Sequence, residues 1–412
     1  MLNMLNRMLT NSEEKRSKKA GEEEQKLILA CCRTKLELQA KAKIFHLLEQ
    51  NLDWDYIFNS CQQHRILPLF YQKIKQENYN IPKEVVNKFS NFERKNSFHN
   101  IFITSKLAEV IDNLQSAEIP VISFKGATLA VSAYGNLALR TFGDADILIE
   151  PENIKPAVDI LHKLGYPLPK QITKVLKTSY GNSSIFNESL NHQKSLEVID
   201  DRQLFAIELH WSLFSKSFPI NVSFADLWQN RTQVDILGKN IPQFAAGDLM
   251  LYLCIHGSRH YWCQLQWICD VAELVTANPQ LDWNKTQLQA NKWGCSRMLY
   301  LGLILAQNLL DAPLPEDIQQ RLERDSTAQL LAKQISDRLF DRKENSEFEN
   351  HVFLVKCRDR YRDKLQYILN VLFVPNEKDW HFLNLPKQLH FLYYIIRPYR
   401  LSIESIFPSA VN

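Results

Sequence analysis

No stretch of the chain stays apolar for the ~20 residues that a bilayer-spanning helix needs, so nothing in the sequence reads as a membrane anchor. Excess charge is missing as well. The 412 residues carry a formal charge of +3, which gives no sign of a general attraction to nucleic acid or lipid headgroups and argues against long nucleic acid as a partner. The opening segment MLNMLNRMLT is broken by Asn and Arg and lacks the apolar centre of a signal peptide. The expected location is therefore the cytoplasm. None of the eight cysteines forms a paired C-x-x-C zinc framework, and in a reducing compartment they read as free thiols. No internal repeat is visible, and no low-complexity tract beyond a polar leader.

What remains is a chain of ordinary globular composition, 45% hydrophobic, long enough for two or three packed units. Residues 1–25 read as a flexible charged leader, 26–119 as a helical region, 120–215 as an α/β core, and 216–412 as a second helical region. Apolar residues recur at helical spacing from Lys26 to Gln50. A helix from Trp54 to Lys75 is interrupted near Leu67-Pro68, and Pro82 suits the first turn of the helix that follows. Beyond the core, helices are expected from Gly247 onward, among them Trp262–Val275, Gln287–Leu310, Ile318–Leu339 and Phe353–Phe373. The polar stretch from Asp341 to Asn350 reads as an exposed loop.

The informative stretch is Val121 to Glu150, VISFKGATLAVSAYGNLALRTFGDADILIE. Val121 to Phe124 suit a strand, Lys125-Gly126 break it, and Ala127 to Tyr134 can form a helix. A second strand then carries Asp144 and Asp146 on one face, because strand periodicity is two. Like charges this close are costly unless a cation lies between them. Pro151 opens a helix that Gly165 stops. Residues 172 to 199 read as a hairpin with a turn at Gly181-Asn182, and Asp200-Asp201 fits another turn. In the strand Leu204 to Leu213, Ala206, Glu208 and His210 share a face. An ionised Glu among so many apolar residues needs a partner, and a metal shared with Asp144 and Asp146 would be one.

Lys125-Gly126, Arg140, Gly143-Asp144-Ala145-Asp146 and Glu208-Leu209-His210-Trp211 together resemble the uncharacterised bacterial nucleotidyltransferase family of the polymerase-beta-type nucleotidyltransferase superfamily. The likeness extends from about Trp54 to Arg400. It implies an α+β fold, with a small mixed-sheet nucleotidyltransferase core flanked by N-terminal and C-terminal helical regions. It also implies transfer of a nucleoside monophosphate from an NTP to an acceptor hydroxyl or phosphate, with Mg²⁺ (or Mn²⁺) held by Asp144, Asp146 and Glu208. Glu208 would sit nearest the acceptor as general base, and Lys125 and Gly126 would serve the triphosphate. Many superfamily members have Gly-Ser where this chain has Gly126-Ala127, which removes one hydroxyl donor. Arg140 is assigned to nucleotide binding, with a pairing to Asp144 or a structural salt bridge as alternatives. The acceptor is not specified; a small molecule, a peptide and a protein all fit.

Several residues keep two readings. His210 either touches substrate or is a hydrogen-bonded core histidine. His256 and His260 have zinc spacing at i, i+4, but Gly257 stands where a metalloprotease has Glu. Arg259 and His260 either face the cleft or pack between helices. Two other function classes compete: a metal-dependent glycosyltransferase built on the Asp-x-Asp strand, and a non-catalytic binding protein on the same scaffold. The first expects alternating strands and helices ahead of the acidic pair, where this chain reads as mostly helix.

Overall fold

The computed structural model describes residues 21–76, 79, 81–167, 195–199, 205–214, 218–341, 346–375, 377–383 and 385–406. Four helices come first: α1 (Glu22–Cys31), α2 (Leu38–Leu48), α3 (Trp54–Gln63) and α4 (Leu67–Gln76). The leader expected over 1–25 is shorter at its C-terminal end. Glu24 is buried and its carboxylate accepts the backbone N–H of Asp53 at 2.8 Å, which draws the end of the charged run into a helix. Residues 1–20 lie outside the described residues. The helix expected from Lys26 to Gln50 is two helices, because the Thr34 backbone N–H is tied to Glu273, 2.8 Å away. Pro82 caps the 34-residue α5 (Lys83–Ser116).

The sheet follows, with strands β1 (Val121–Ser123), β2 (Asp144–Ile149), β3 (Ser195–Ile199), β4 (Ala206–His210), β5 (Thr232–Ile236) and β6 (Lys239–Gln243) in the order β3-β4-β2-β1-β6-β5. β1 and β2 run antiparallel, with the short helix α6 (Gly126–Ser132) between them in sequence; β4 lies parallel to β2, and β6 parallel to β1. After β2 comes α7 (Ile154–Lys163), as Pro151 and Gly165 indicate. The Gly181-Asn182 and Asp200-Asp201 turns fall outside the described residues; β3 is the strand expected at the end of that hairpin.

The sheet does not end at residue 215. The hairpin β5–β6 adds two strands that the sequence reading assigned to a helical region. Its turn, Leu237-Gly238, has positive φ at both residues, 55° and 78°, as a two-residue hairpin loop requires. β5 was hard to see because three of its five residues are exposed polar ones.

The remaining helices are α8 (Phe224–Asn230), between β4 and β5, then α9 (Ala246–Arg259), α10 (Leu265–Ala277), α11 (Trp283–Trp293), α12 (Ser296–Leu310), α13 (Glu316–Arg324), α14 (Ser326–Arg338), α15 (Glu347–Lys356), α16 (Tyr361–Phe373), α17 (Glu377–Phe382) and α18 (Tyr393–Ile406). Two helices expected as single, Gln287–Leu310 and Phe353–Phe373, are pairs, broken at Gly294 and at Cys357–Arg360. The helices expected over Ile318–Leu339 are α13 and α14, separated at Asp325, whose side chain caps α14 by accepting from Ala328. Of the loop expected over Asp341–Asn350, residues 342–345 lie outside the described residues. A capping box of Ser346 and Glu349 starts α15 inside that stretch. No helix among the described residues is long and apolar enough to cross a membrane.

Strand alternation sorts the core into two bodies. Val121, Ala145, Ile147, Ile149, Ile207 and Leu209 pack with Ile103, Leu107, Val110, Ile111 and Leu114 of α5 and with Ala157, Val158 and Leu161 of α7. Ile122, Phe124 and Leu148 point the other way, into a larger core shared with α9, α10 and α12. Asp144, Asp146, Glu208 and His210 belong by alternation to that second face.

The turn after α9 fixes one helix contact by steric fit. Trp262 is fully buried, and a Cβ at Gly257 would lie 2.6 Å from its ring. One at Gly302 of α12 would lie 3.0 Å from the same ring. Gly257 thus accommodates an indole instead of supplying a zinc-site acid. The Gly257→Ala variant is expected to lose about 1–3 kcal/mol from overpacking, against at most ~1 kcal/mol regained in helix propensity. Urea unfolding measures the balance, and a variant as stable as the parent would contradict the fit.

Candidate active site

Asp146 is the centre of the site. Parallel pairing of β2 with β4 sets Asp146 directly beside Glu208 and Leu148 beside His210. The carboxylate is 2% exposed, a costly place for a charge without partners. It has two: Oδ1 lies 3.2 Å from Lys125 Nζ and 3.0 Å from His210 Nε2. A carboxylate only accepts, so Nε2 carries the proton. Glu208 Oε2 lies 3.5 Å from the same nitrogen. Nδ1 of His210 is then a buried atom with no hydrogen-bond partner. Burial alone would raise the Asp146 pKa, but the Lys125 charge and the His210 hydrogen bond hold it well below the usual carboxylate range. Lys125 mirrors this: burial works against its charge, yet Asp146, Tyr252 and Asp144 hold it above the ordinary lysine value.

Lys125 reaches Asp146 because of the turn it sits in. Gly126 has φ +51°, and a Cβ there would press against the Asp144 carbonyl oxygen at 3.1 Å. Glycine is needed to bring the β1–α6 turn against the start of β2.

Phe124, the last residue before that turn, organises the aromatic wall. Its ring stacks on Phe244 at 4.9 Å and meets Tyr252 edge-on at 5.0 Å and His210 at 5.2 Å. Tyr252 on α9 also lies under the Lys125 ammonium, 5.2 Å from Nζ to ring centroid. Burial and the Asp146 charge push its phenol up to about 12, against the pull of Lys125. One turn on, His256 stacks against Tyr252 at 5.9 Å and contacts His260 at 4.7 Å and Trp267 at 5.3 Å. Burial first, then Lys125 and His260, keep its pKa well below the ordinary imidazole value.

Asp144 stands two residues before Asp146, exposed at the start of the strand. Its pKa is raised by lost hydration and by the charges of Asp146 and Glu208. That crowding is the observation that bears on a metal. Asp146, Glu208 and His210 bring one donor atom each within 4.8 Å of one another, and the ammonium of Lys125 is ion-paired with Asp146 alone among the described residues. The donor set fits a divalent cation, with Asp146 and Glu208 as oxygen ligands and Asp144 at the mouth. His210, which already donates to Asp146, could ligate through Nε2 only by giving up that proton.

Arg140 is not part of this group. It is buried, and its Nε and Nη2 pair with both oxygens of Asp270 at 2.8 and 2.9 Å. Tyr134 donates to the same carboxylate at 2.7 Å. The bridge ties the loop before β2 to α10, which corrects the nucleotide-binding assignment in favour of the salt-bridge alternative, with Asp270 instead of Asp144 as partner. Among the residues not singled out from sequence, Tyr252 matters most. Its signal was the four-residue step to His256 on one helix face.

A family model described as "Uncharacterised nucleotidyltransferase" matches residues 50–311, more than half of the chain. No curated protein and no solved structure matches it.

Two measurements probe this arrangement. An acid whose folded pKa is raised penalises the fold above that pKa and has no effect below the unfolded value near 3.9. Asp144→Asn should therefore raise the Tm of the metal-free protein at neutral pH, with the gain vanishing as pH falls below about 4; equal shifts at both pH values would refute the crowding. Arg140→Met leaves the Asp270 carboxylate buried without a counter-charge, with only the Tyr134 hydroxyl donating to it, and chemical denaturation should show a loss of about 3 kcal/mol.

Proposed function

The chain belongs to the uncharacterised nucleotidyltransferase family, and from that premise we propose that it transfers a nucleoside monophosphate from an NTP to an acceptor hydroxyl or phosphate, releasing pyrophosphate, with Asp144, Asp146 and Glu208 as the catalytic carboxylates. The observation that carries the reading is the lateral pairing of Asp146 with Glu208 across two parallel strands, with Lys125 on the same carboxylate. A divalent cation bound by these carboxylates, Mg²⁺ or Mn²⁺, would neutralise the triphosphate and polarise the attacked phosphorus.

The residues divide the remaining work. Lys125 lies at the end of β1 with 16% of its side chain exposed, where its ammonium can meet a β or γ phosphate oxygen without leaving Asp146. Gly126 keeps the turn low enough for phosphates to pass. Glu208 is partly open, 28% against 1% for Asp146, so its carboxylate is the one a bound acceptor can reach and give its proton to. The acceptor oxygen then bonds to the α-phosphorus, the bond from that phosphorus to the bridging oxygen breaks, and pyrophosphate leaves. His210 keeps Asp146 in its rotamer through Nε2.

Family membership sets the glycosyltransferase reading aside, and the run of helices before β1 agrees with that. Retention of all three carboxylates speaks against a non-catalytic scaffold. The near-neutral charge favours a small molecule, a peptide or a protein as acceptor over long nucleic acid, and the cytoplasm suits such a reaction.

The test is incubation with each NTP and Mg²⁺ or Mn²⁺, following pyrophosphate and label on candidate acceptors and on the protein itself. Asp146→Asn and Glu208→Gln should each lower the rate by about a thousandfold or more, a barrier increase of about 4 kcal/mol. Full pyrophosphate release by either folded variant would dismiss the assignment.

A further inference from the structure

Arg358 is the least explained side chain in the described structure. It is completely buried. Its guanidinium lies 4.5 Å from the Phe218 ring centroid and 4.8 Å from that of Tyr367, yet Nε and Nη2 have no hydrogen-bond acceptor among the described residues. Aromatic faces offset part of a cation's lost hydration, but they do not replace the oxygens that a planar guanidinium fork is built to engage. Asp359 and Asp363 are near enough to favour its charge, but neither forms an ion pair with it among the described residues, and Asp359 Oδ1 is itself unpartnered.

A second arginine shares the same platform. Arg259, at the end of α9, lies 5.3 Å from the Phe218 centroid and makes no ion pair among the described residues. It stands three and seven residues after His256 and Tyr252 on one face of α9, and Tyr252 lies under the Lys125 ammonium, which places the platform next to the carboxylate cluster. Burial pulls both guanidinium groups below the ordinary arginine value.

We propose that Arg259 and Arg358 form an oxyanion-binding site on the Phe218–Tyr367 platform, beside the catalytic carboxylates, that takes a phosphate or carboxylate group of a substrate. The proposal rests on the nucleotidyltransferase reading only for which substrate brings the anion: the triphosphate of the NTP or an acidic acceptor. Binding itself does not depend on turnover.

Equilibrium dialysis of the full chain against radiolabelled inorganic phosphate, with chelator present, tests it directly. Saturable binding is expected in the wild type. Arg259→Gln should weaken it at least tenfold, and Arg358→Met at least as much. Arg259 is only partly buried, so its variant keeps the test open if Arg358→Met does not fold. Asp146→Asn should retain phosphate binding, so that a failed transfer assay and a failed anion site are told apart. Adding a non-hydrolysable ATP analogue separates the sources: displacement of phosphate assigns the site to the triphosphate, and simultaneous binding assigns it to the acceptor. Absence of phosphate binding in the wild type, or unchanged affinity in folded Arg259→Gln, overturns the proposal.

Discussion

A carboxylate sealed in a sheet survives ionised only if its surroundings replace water, and at Asp146 the replacement is a lysine and an imidazole on one oxygen. Each partner has its own structural precondition. Lys125 depends on a turn that glycine alone fits comfortably against the Asp144 carbonyl. His210 depends on the parallel register of β2 and β4 and on the edge of Phe124. Most of the local architecture can be traced to keeping that single charge in place. The opposite treatment of Asp144, left at the mouth with its acidity weakened by its neighbours, leaves one rigid and one responsive carboxylate two residues apart.

The helices behind the sheet are coupled to this centre by means that are not catalytic. The bidentate Arg140–Asp270 bridge, completed by Tyr134, anchors the approach to β2 on α10. Buried bridges of this kind seldom add much stability over a well-packed apolar substitute, but they are intolerant of losing one partner. The value of this one is positional: it fixes where Asp144 begins its strand.

The acidic strand and its Gly turn were legible because they combine period-two alternation with residues that have few other uses among apolar neighbours. Glu208 was legible for the same reason, and the strand register sets it beside Asp146. What stayed hidden was decided by long-range pairing. Arg140 carries the same signal whether it meets a phosphate or a carboxylate 130 residues away. The hairpin β5–β6 presents Thr232, Gln233 and Asp235 to solvent, so its alternation is faint, and only Leu237-Gly238 marks it. The paired helices around Gly294 and Cys357–Arg360 merged into single ones because apolar spacing continues across a break when both helices face one core. Tyr252 had only its four-residue step to His256 to mark it, since nothing local records that a lysine from another element lies over its ring.

β6 runs almost directly into α9, with only Phe244 and Ala245 between them, and β6 is itself laddered to β1, the strand that delivers Lys125. The two sides of the cleft are therefore geared to one another through a two-residue link. A single residue inserted there would turn the helix by about 100° about its axis, swinging Tyr252, His256 and Arg259 together out of phase with the carboxylates. This short joint leaves little room for variation in length.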